Sequence, residues 1–433
     1  KTPGRLPASS NLLRMIDLFD ALALIEQHVR PLAPRRMRLV DACGRRLAAA
    51  VVSDVDSPPW DRAMMDGFAV RSADFLGYGA EGIETVTLDI VVDVAAGDVT
   101  TLNIQPGSCA RIMTGAPIPK GVDAVVPIEC AVGETGRLHA GQQVRLRDKK
   151  FRAGQHVAKQ GAAFCRGQAV LGPGTMLGSA EVGLAAEAGA THVVASAGIR
   201  VAILSTGSEL VPPDARPAFG QTRNSNGPMI AAAVMLLGAE PISLGIGPDR
   251  PEAIRSLVAQ GLAADVLVLS GGVSAGDHDL VPEIFERCGV EKIFHKVRLK
   301  PGKPVWFGVF KRNQAPATIV FGLPGNPASS LVCFELFVRP AMAMLAGKPR
   351  EEWHLPREHA RLTRPTQAAP DRPAYLPCHL VSTGGTLSAT PLPWTGSGDL
   401  LGFVGANGFL ALPAGAKQYA VGDEVSVLLR DSQ

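Results

Sequence analysis

The residues best suited to chemistry lie between positions 265 and 304. Asp277 and Asp279 offer hard carboxylate oxygens of the kind Mg²⁺ accepts. Lys296, Lys300 and Lys303 follow in the same stretch and supply compact positive charges suited to phosphate or another oxyanion. Ahead of the acids, the apolar run 266–269 breaks into Ser270-Gly271-Gly272-Val273-Ser274, a glycine-rich loop whose backbone N–H groups can turn toward an anion. Carboxylates, lysines and a glycine loop this close in sequence point to a metal–phosphate site.

Other loops carry the same character. Ser205-Thr206-Gly207-Ser208-Glu209 follows an apolar run, Lys300-Pro301-Gly302-Lys303 reads as a tight turn, and Gly322-Leu323-Pro324-Gly325-Asn326-Pro327 opens a helix. The start of that helix, with Ser329 and Ser330, is a ready anion site. Several residues have plainer readings beside these. Asp249 begins Asp-Arg-Pro-Glu, a capping box in form, Glu209 can be a solvated loop acid, Lys292 a surface charge, and His278 part of a polar loop. No nucleophile elbow and no Ser-His-Asp spacing is present, so covalent catalysis has no candidate.

The elements that must hold these loops follow from periodicity. From position 199 the chain alternates strands at 201–204, 241–246 and 266–269 with helices at 228–237, 251–262 and 280–288. Strands at 305–309 and 318–321 precede a further helix from Pro327 to about Leu345. That grammar predicts a parallel sheet with helices on both faces, a three-layer α/β domain whose ligand loops gather at the carboxyl ends of the strands. Upstream, residues 10–29 place apolar groups at amphipathic-helix spacing, and residues 57–71 read as a loop with two prolines. Short β-branched runs at 86–92, 108–113, 124–128 and 143–146 predict a β domain, with Thr114-Gly115 as a turn inside it. A second helix at 179–188 would pair with the first, making that β domain an insertion. The chain after position 349 returns to short strands rich in Gly and Pro. The expected division is therefore a discontinuous helical elongated domain at 8–50 and 151–189, an inserted β domain at 51–150, an α/β domain at 190–347 and a C-terminal β barrel at 348–433.

Composition narrows the function classes. The chain is 46% hydrophobic and 19% charged, which predicts a folded protein rather than a disordered one. A net charge of +3 with interspersed signs argues against nucleic acid and against a membrane surface, so a small-molecule ligand is expected. Seven scattered cysteines without a C-x-x-C pair imply buried thiols and a reducing, cytoplasmic setting. The N-terminus shows no signal-peptide pattern, and no apolar run comes near the ~18 residues of a membrane span.

Taken together, Met65-Asp66-Gly67-Phe68-Ala69-Val70-Arg71, Thr114-Gly115-Ala116-Pro117, Leu204-Ser205-Thr206-Gly207-Ser208-Glu209-Leu210, Ser270-Gly271-Gly272-Val273-Ser274 and Lys300-Pro301-Gly302-Lys303-Pro304 resemble the MoeA family over nearly the whole chain. The resemblance implies a molybdopterin molybdenumtransferase of molybdenum cofactor biosynthesis. Such an enzyme inserts molybdate into adenylylated molybdopterin with Mg²⁺ and releases AMP. It also implies a homodimer in which Asp66 and Thr114 face the cleft from the partner subunit, while Glu209, Asp249, Asp279, Lys296 and Lys300 line it from the α/β domain. By the same resemblance Glu209, Asp249 and Asp279 would hold the metal. Ser205, Thr206, Gly207, Ser270, Gly271, Gly272, Ser274, Gly325 and Asn326 would bind the molybdopterin, and Pro301, Lys303, Ser329, Arg372 and Ser397 would take molybdate. Further partners implied are molybdopterin adenylyltransferase and downstream molybdoenzymes or their chaperones. Met64 and Phe68 depart from the commoner family wording without touching an acid or lysine position. Two rival readings are a non-catalytic scaffold of the gephyrin type and a molybdopterin adenylyltransferase, whose lone α/β domain is similar to residues 190–345.

Overall fold

A computed structural model of the chain describes residues 15–76, 79, 84–133, 138–273, 280–313 and 316–430. Ser274, Asp277, His278 and Asp279 lie outside the described residues. The chain forms two compact units, one of Pro34–Ala195 and one of Lys1–Ala33 with Ser196–Gln433.

The unit Pro34–Ala195 is built on a five-stranded sheet. Its strands are β1 (Gly67–Val70), β2 (Val86–Val94), β3 (Ser108–Ile112), β4 (Ala124–Pro127) and β5 (Gln143–Leu146), in the order β4-β1-β3-β2-β5. Alternation along each strand sends Phe68, Val70, Leu88, Ile90 and Val126 to one core and Ala69, Ala110, Ile112 and Val125 to another. Residues 57–71 read as a loop from the sequence, but Gly67–Val70 of that stretch form β1, which is fully buried and lies inside the sheet. Four residues are too few for the period to stand out. Gly67 is also required there, because a Cβ would strike the Val126 carbonyl oxygen. Around this sheet, Arg35–Arg38 pairs antiparallel with His192–Ala195, and the helix Ser179–Glu187 packs Ala185 against Leu39, Leu47 and Leu177.

The second unit holds a six-stranded sheet. Its strands are β6 (Arg200–Thr206), β7 (Glu240–Gly247), β8 (Val266–Ser270), β9 (Glu291–His295), β10 (Trp306–Phe310) and β11 (Thr318–Leu323), ordered β7-β6-β8-β11-β10-β9. Its helices are α1 (Asn226–Leu236), α2 (Pro251–Gly261), α3 (Val281–Arg287) and α4 (Pro327–Leu345). Val201, Ile203, Val266 and Val268 pack with Ile230 and Val234 of α1 and with α4. The alternate residues Leu204, Leu267 and Leu269 pack with Ile254 and Val258 of α2 and Phe285 of α3. Two apolar faces on one sheet therefore make three layers, and each such side chain contributes about 1.5–3 kcal/mol on burial. The sheet is mixed where an all-parallel one is expected from the sequence: β6, β7, β8 and β11 run parallel, while β10 is antiparallel to both its neighbours. Strand β9 is not legible from the sequence because its polar termini, Glu291 and His295, sit on an edge strand. Helix α4 is 19 residues long and apolar enough to cross a bilayer by composition, yet 94% of its apolar window is buried, as in a core helix.

The unit ends in a closed five-stranded barrel of β12 (Arg357–Leu362), β13 (Ala374–Thr383), β14 (Thr386–Pro391), β15 (Gly408–Leu412) and β16 (Glu424–Leu429), in the order β12-β14-β13-β15-β16. The N-terminal helix Leu18–His28 buries Leu18, Ala21 and Ile25 in the core that α4 and the barrel residues Tyr375 and Phe409 share.

Candidate functional site

Strands β6, β7, β8 and β11 end side by side at Thr206, Gly247, Ser270 and Leu323, so the loops that follow them surround one crevice. The connection from β9 to β10 carries the Lys300–Lys303 turn to the same end. The result is a cavity of about 1390 Å³. Thr206, Gly207, Glu209, Asp249, Ser270, Gly271 and Gly272 line it. So do Lys300, Pro301, Lys303, Gly325, Asn326, Ser329, Arg372 and Ser397. These fifteen positions were all proposed from the sequence, and they come from loops spread over nearly two hundred residues.

Backbone geometry explains the glycines. Gly271 has φ +98°, and a Cβ there would strike the Thr206 carbonyl oxygen. Gly302 has φ +117°, and its Cβ would strike the Cys333 sulfur. Both positions need the missing side chain. The buried Cys333 thiol donates to the Gly302 carbonyl at 3.4 Å, tying the lysine turn to α4. Burial pushes the Cys333 thiol far up, so it stays protonated and acts only as a donor.

The barrel fixes the same turn from the other side. Lys300 N–H donates to the Pro373 carbonyl at 2.9 Å, and Tyr375 N–H donates to the Lys300 carbonyl at 2.8 Å. Asn326 Nδ2 donates to Ser397 Oγ at 2.8 Å, and Ala328 N–H donates to the Ser397 carbonyl at 3.1 Å. The half-buried Asp399 organises the loop that carries Ser397, accepting from Thr395 N–H at 2.9 Å and Gly402 N–H at 3.1 Å. Those N–H groups, Thr395 first, hold the Asp399 carboxyl below the usual carboxylate range.

Two acids, Glu209 and Asp249, line the same cavity as the cations. Asp249 accepts from Ser208 N–H at 2.7 Å, and its own N–H donates to Ser208 Oγ at 3.3 Å. It joins two loops and does not cap α2, whose N-cap is Arg250. The Glu209 carboxylate lies where a Cβ on Gly207 would be, within 2.5 Å of that point. Among the described residues no three His, Cys, Asp or Glu side chains form a metal cage. Glu209 and Asp249 together offer a two-carboxylate edge that phosphate oxygens could complete around a hard cation.

Several proposed residues fall elsewhere. Ser205 is buried behind the cavity wall, accepting from Ser270 Oγ at 3.3 Å. Lys296 does not line the cavity: it holds a left-handed backbone at φ 70°, and its N–H donates to the Val305 carbonyl. Asp66 and Thr114 belong to the unit Pro34–Ala195. There they form a pair, with Thr114 N–H and Oγ1 donating to Asp66 Oδ1 at 2.7 and 2.8 Å. Those two bonds, the backbone one first, hold the Asp66 carboxyl below its ordinary value. Asp279 and Ser274 lie outside the described residues.

Lining residues that the sequence reading missed include Arg223, Asn226, Gln367, Trp394 and Thr395. Asn226-Gly227-Pro228 was legible only as a helix start. Trp394 and Thr395 lie on an irregular barrel loop, where no periodicity marks a ligand-facing residue.

The chain matches three sequence families in order. They are the MoeA N-terminal region (domain I and II) over residues 16–189, a probable molybdopterin binding domain over 202–344, and the MoeA C-terminal region (domain IV) over 359–429. It is 36% identical over 397 residues to a molybdopterin molybdenumtransferase of a Nostoc species, covering 89% of this chain and 86% of that one. A Bacillus subtilis protein of the same name is 33% identical, covering 90% and 88%. Among solved structures, a molybdopterin biosynthesis moea protein from Pyrococcus horikosii superposes with a TM-score of 0.77 at 30% identity, covering 97% of this chain and all of the other.

Proposed function

We propose, since this chain belongs to the MoeA family of molybdopterin molybdenumtransferases, that its cleft receives adenylylated molybdopterin on the glycine loops and molybdate at the Lys300–Lys303 turn. The chain is a transferase of molybdenum cofactor biosynthesis. The observation supporting the finer reading is the convergence of Lys300, Lys303, Ser329, Arg372 and Ser397 with Thr206, Gly271 and Gly325 around one cavity.

In this reading the two lysines and Arg372 hold a tetrahedral dianion by charge-assisted hydrogen bonds, while Ser329 and Ser397 orient it with their hydroxyls. The turn that carries the lysines is fixed from both sides, so little reorganisation is needed when charge shifts during transfer. Glu209 and Asp249, with Asp279, would hold Mg²⁺ against the phosphate bridge, where a bound cation neutralises charge and makes AMP a better leaving group. No side chain is asked to form a covalent bond, and catalysis rests on placement and charge. The protein would act as a homodimer in a cytoplasmic, reducing setting, with Asp66 and Thr114 completing the cleft of the partner subunit.

Molybdate-dependent release of AMP from adenylylated molybdopterin, followed in the presence and absence of Mg²⁺, tests the reaction. AMP release that ignores molybdate would contradict it. Mixed dimers test the assembly: a subunit carrying Asp66→Ala should complement one carrying Asp249→Ala, and an inactive mixture would count against a shared cleft.

A further inference from the structure

Among the described residues, four cleft-lining side chains carry a buried polar atom without a hydrogen-bond partner. Arg372 Nε and Trp394 Nε1 come from the C-terminal segments, and Thr206 Oγ1 and Asn226 Oδ1 come from the α/β domain beside the glycine loops. The last two side chains are buried, with Thr206 3% and Asn226 8% exposed. The Asn226 amide can be oriented on chemical grounds. One end lies 2.7 Å from the Gly325 carbonyl oxygen, which can only accept, so that end is Nδ2 and the acceptor Oδ1 is the atom left over. Nearly all buried polar groups in folded proteins find partners, so two orphans on one wall call for a reason.

The two residues are joined by a glycine floor. Asn226 bonds Gly325, and a Cβ on Gly325 would sit 3.6 Å from the Gly271 Cα. A Cβ on Gly271 would lie 3.0 Å from Thr206 Oγ1, and one on Gly272 would lie 3.2 Å from it. The floor between the orphans therefore carries no side chain, and a flat group can lie directly on the backbone. An oxyanion does not fit here. Asn226 Oδ1 is a pure acceptor that would repel it, and Thr206, Gly271, Gly325 and Asn226 bring no cation. Of the cations on the cavity lining, Arg223 donates its Nε to the Ala215 carbonyl at 3.0 Å, and Lys300, Lys303 and Arg372 come from other loops.

We propose that Thr206 and Asn226 form a recognition wall for an amino-bearing planar heterocycle. Asn226 Oδ1 accepts a ring or amino N–H, the Thr206 hydroxyl pairs with a neighbouring ring position, and the ring face lies on Gly271 and Gly325. The proposal rests on the cleft reading above and adds the residues that read the ring. Adenylylated molybdopterin carries two such rings, the pterin and the adenine, and both have N–H donors.

Titrating AMP and, under anaerobic conditions, molybdopterin separately into the purified full chain distinguishes the two rings. The variant to compare is Thr206→Val, which keeps the shape and deletes a hydroxyl without a hydrogen-bond partner among the described residues. It should keep or raise the melting temperature while weakening one of the two probes about tenfold, and the probe that weakens names the ring. Asn226→Leu should weaken the same probe, with a lower melting temperature because Gly325 loses its donor. Neither variant should move the molybdate concentration for half-maximal AMP release, which general damage to the cleft would move. If Thr206→Val lowers the melting temperature, or leaves both probes within about twofold of wild type, the wall is not a recognition site. A wild-type chain that binds neither probe would overturn the cleft reading and the wall with it. Wild-type binding with both variants unaffected would overturn the wall alone.

Discussion

The Asp66–Thr114 pair and the Thr206–Asn226 wall treat polar side chains in opposite ways. Asp66 is exposed yet satisfied, with two hydrogen bonds from Thr114 to one oxygen. Thr206 and Asn226 are buried, yet each keeps an atom without a partner among the described residues. Burial makes an unpaired atom unfavourable, and exposure makes a paired one almost neutral. The wall therefore looks like a surface waiting for a ligand. The pair looks like a carboxylate whose direction has been set in advance, with its second oxygen free for whatever it meets.

Glycine substitutions test this contrast most sharply. Gly271→Ala must adopt φ +98° and also displace the Thr206 carbonyl. The backbone strain alone costs about 1–3 kcal/mol, and the collision shifts the loop that shapes the wall. Most turnover should disappear, with a lower melting temperature. Gly115→Ala, next to the pair, has φ +83° but meets only the Ala96 Cβ at 3.9 Å. It should show the strain without the collision, about 1–2 kcal/mol, and keep Asp66 bonded. Equal losses from the two substitutions, measured by thermal unfolding and AMP release, would mean that the wall is no tighter than the pair.

Next in size is the cationic end of the cleft. Lys303→Gln removes one charge-assisted hydrogen bond of roughly 1.5–3 kcal/mol, so the molybdate concentration for half-maximal rate should rise about tenfold to a hundredfold. Stability should stay within about 0.5 kcal/mol, since Lys303 is exposed. Tungstate should compete at the same place. A variant that instead weakened adenylylated molybdopterin and left the molybdate dependence unchanged would move Lys303 to the phosphate end, and the division between ring wall and oxyanion end would have to be redrawn.

How far the sequence could be read follows the same contrast. The α/β layers were legible because strands buried on both faces are continuous apolar runs, and 266–270 has no polar residue before Ser270. The cleft loops were legible because Gly271 and Gly302 occupy backbone conformations that leave a glycine signature. Strand β1 was not, since Gly67 and the upstream Pro58 and Pro59 look like a loop until the close approach of the Val126 carbonyl is seen. Asn226 was not, because its role depends on which amide end faces Gly325, a relation 99 positions apart in the chain. Lys296 had the right charge, but its left-handed backbone and its bond to Val305 belong to the strand connection and not to the cavity lining.

The smallest expected effect concerns the Asp66–Thr114 pair and pH. Thr114 bonds favour the ionised carboxylate, so the folded-state pKa of Asp66 is depressed relative to the unfolded chain. A depressed carboxyl contributes stability above its unfolded pKa and loses it as pH falls through the folded value. Thr114→Val deletes the hydroxyl donor and keeps the backbone one. The variant should therefore be slightly less stable than wild type at neutral pH, and the gap should begin to shrink below the unfolded carboxylate value of about 4 and close as pH falls through the lowered folded value. Solvent around the exposed carboxylate keeps the gap small. Activity should respond more than stability, because a carboxylate held by one bond can swing away from the direction that two bonds impose. Parallel melting curves from pH 3 to pH 7, together with AMP release at neutral pH, separate these effects. A gap that widened as the pH fell would mean that the Thr114 hydroxyl favours the protonated form, and the view of Asp66 as a pre-oriented anion would fail.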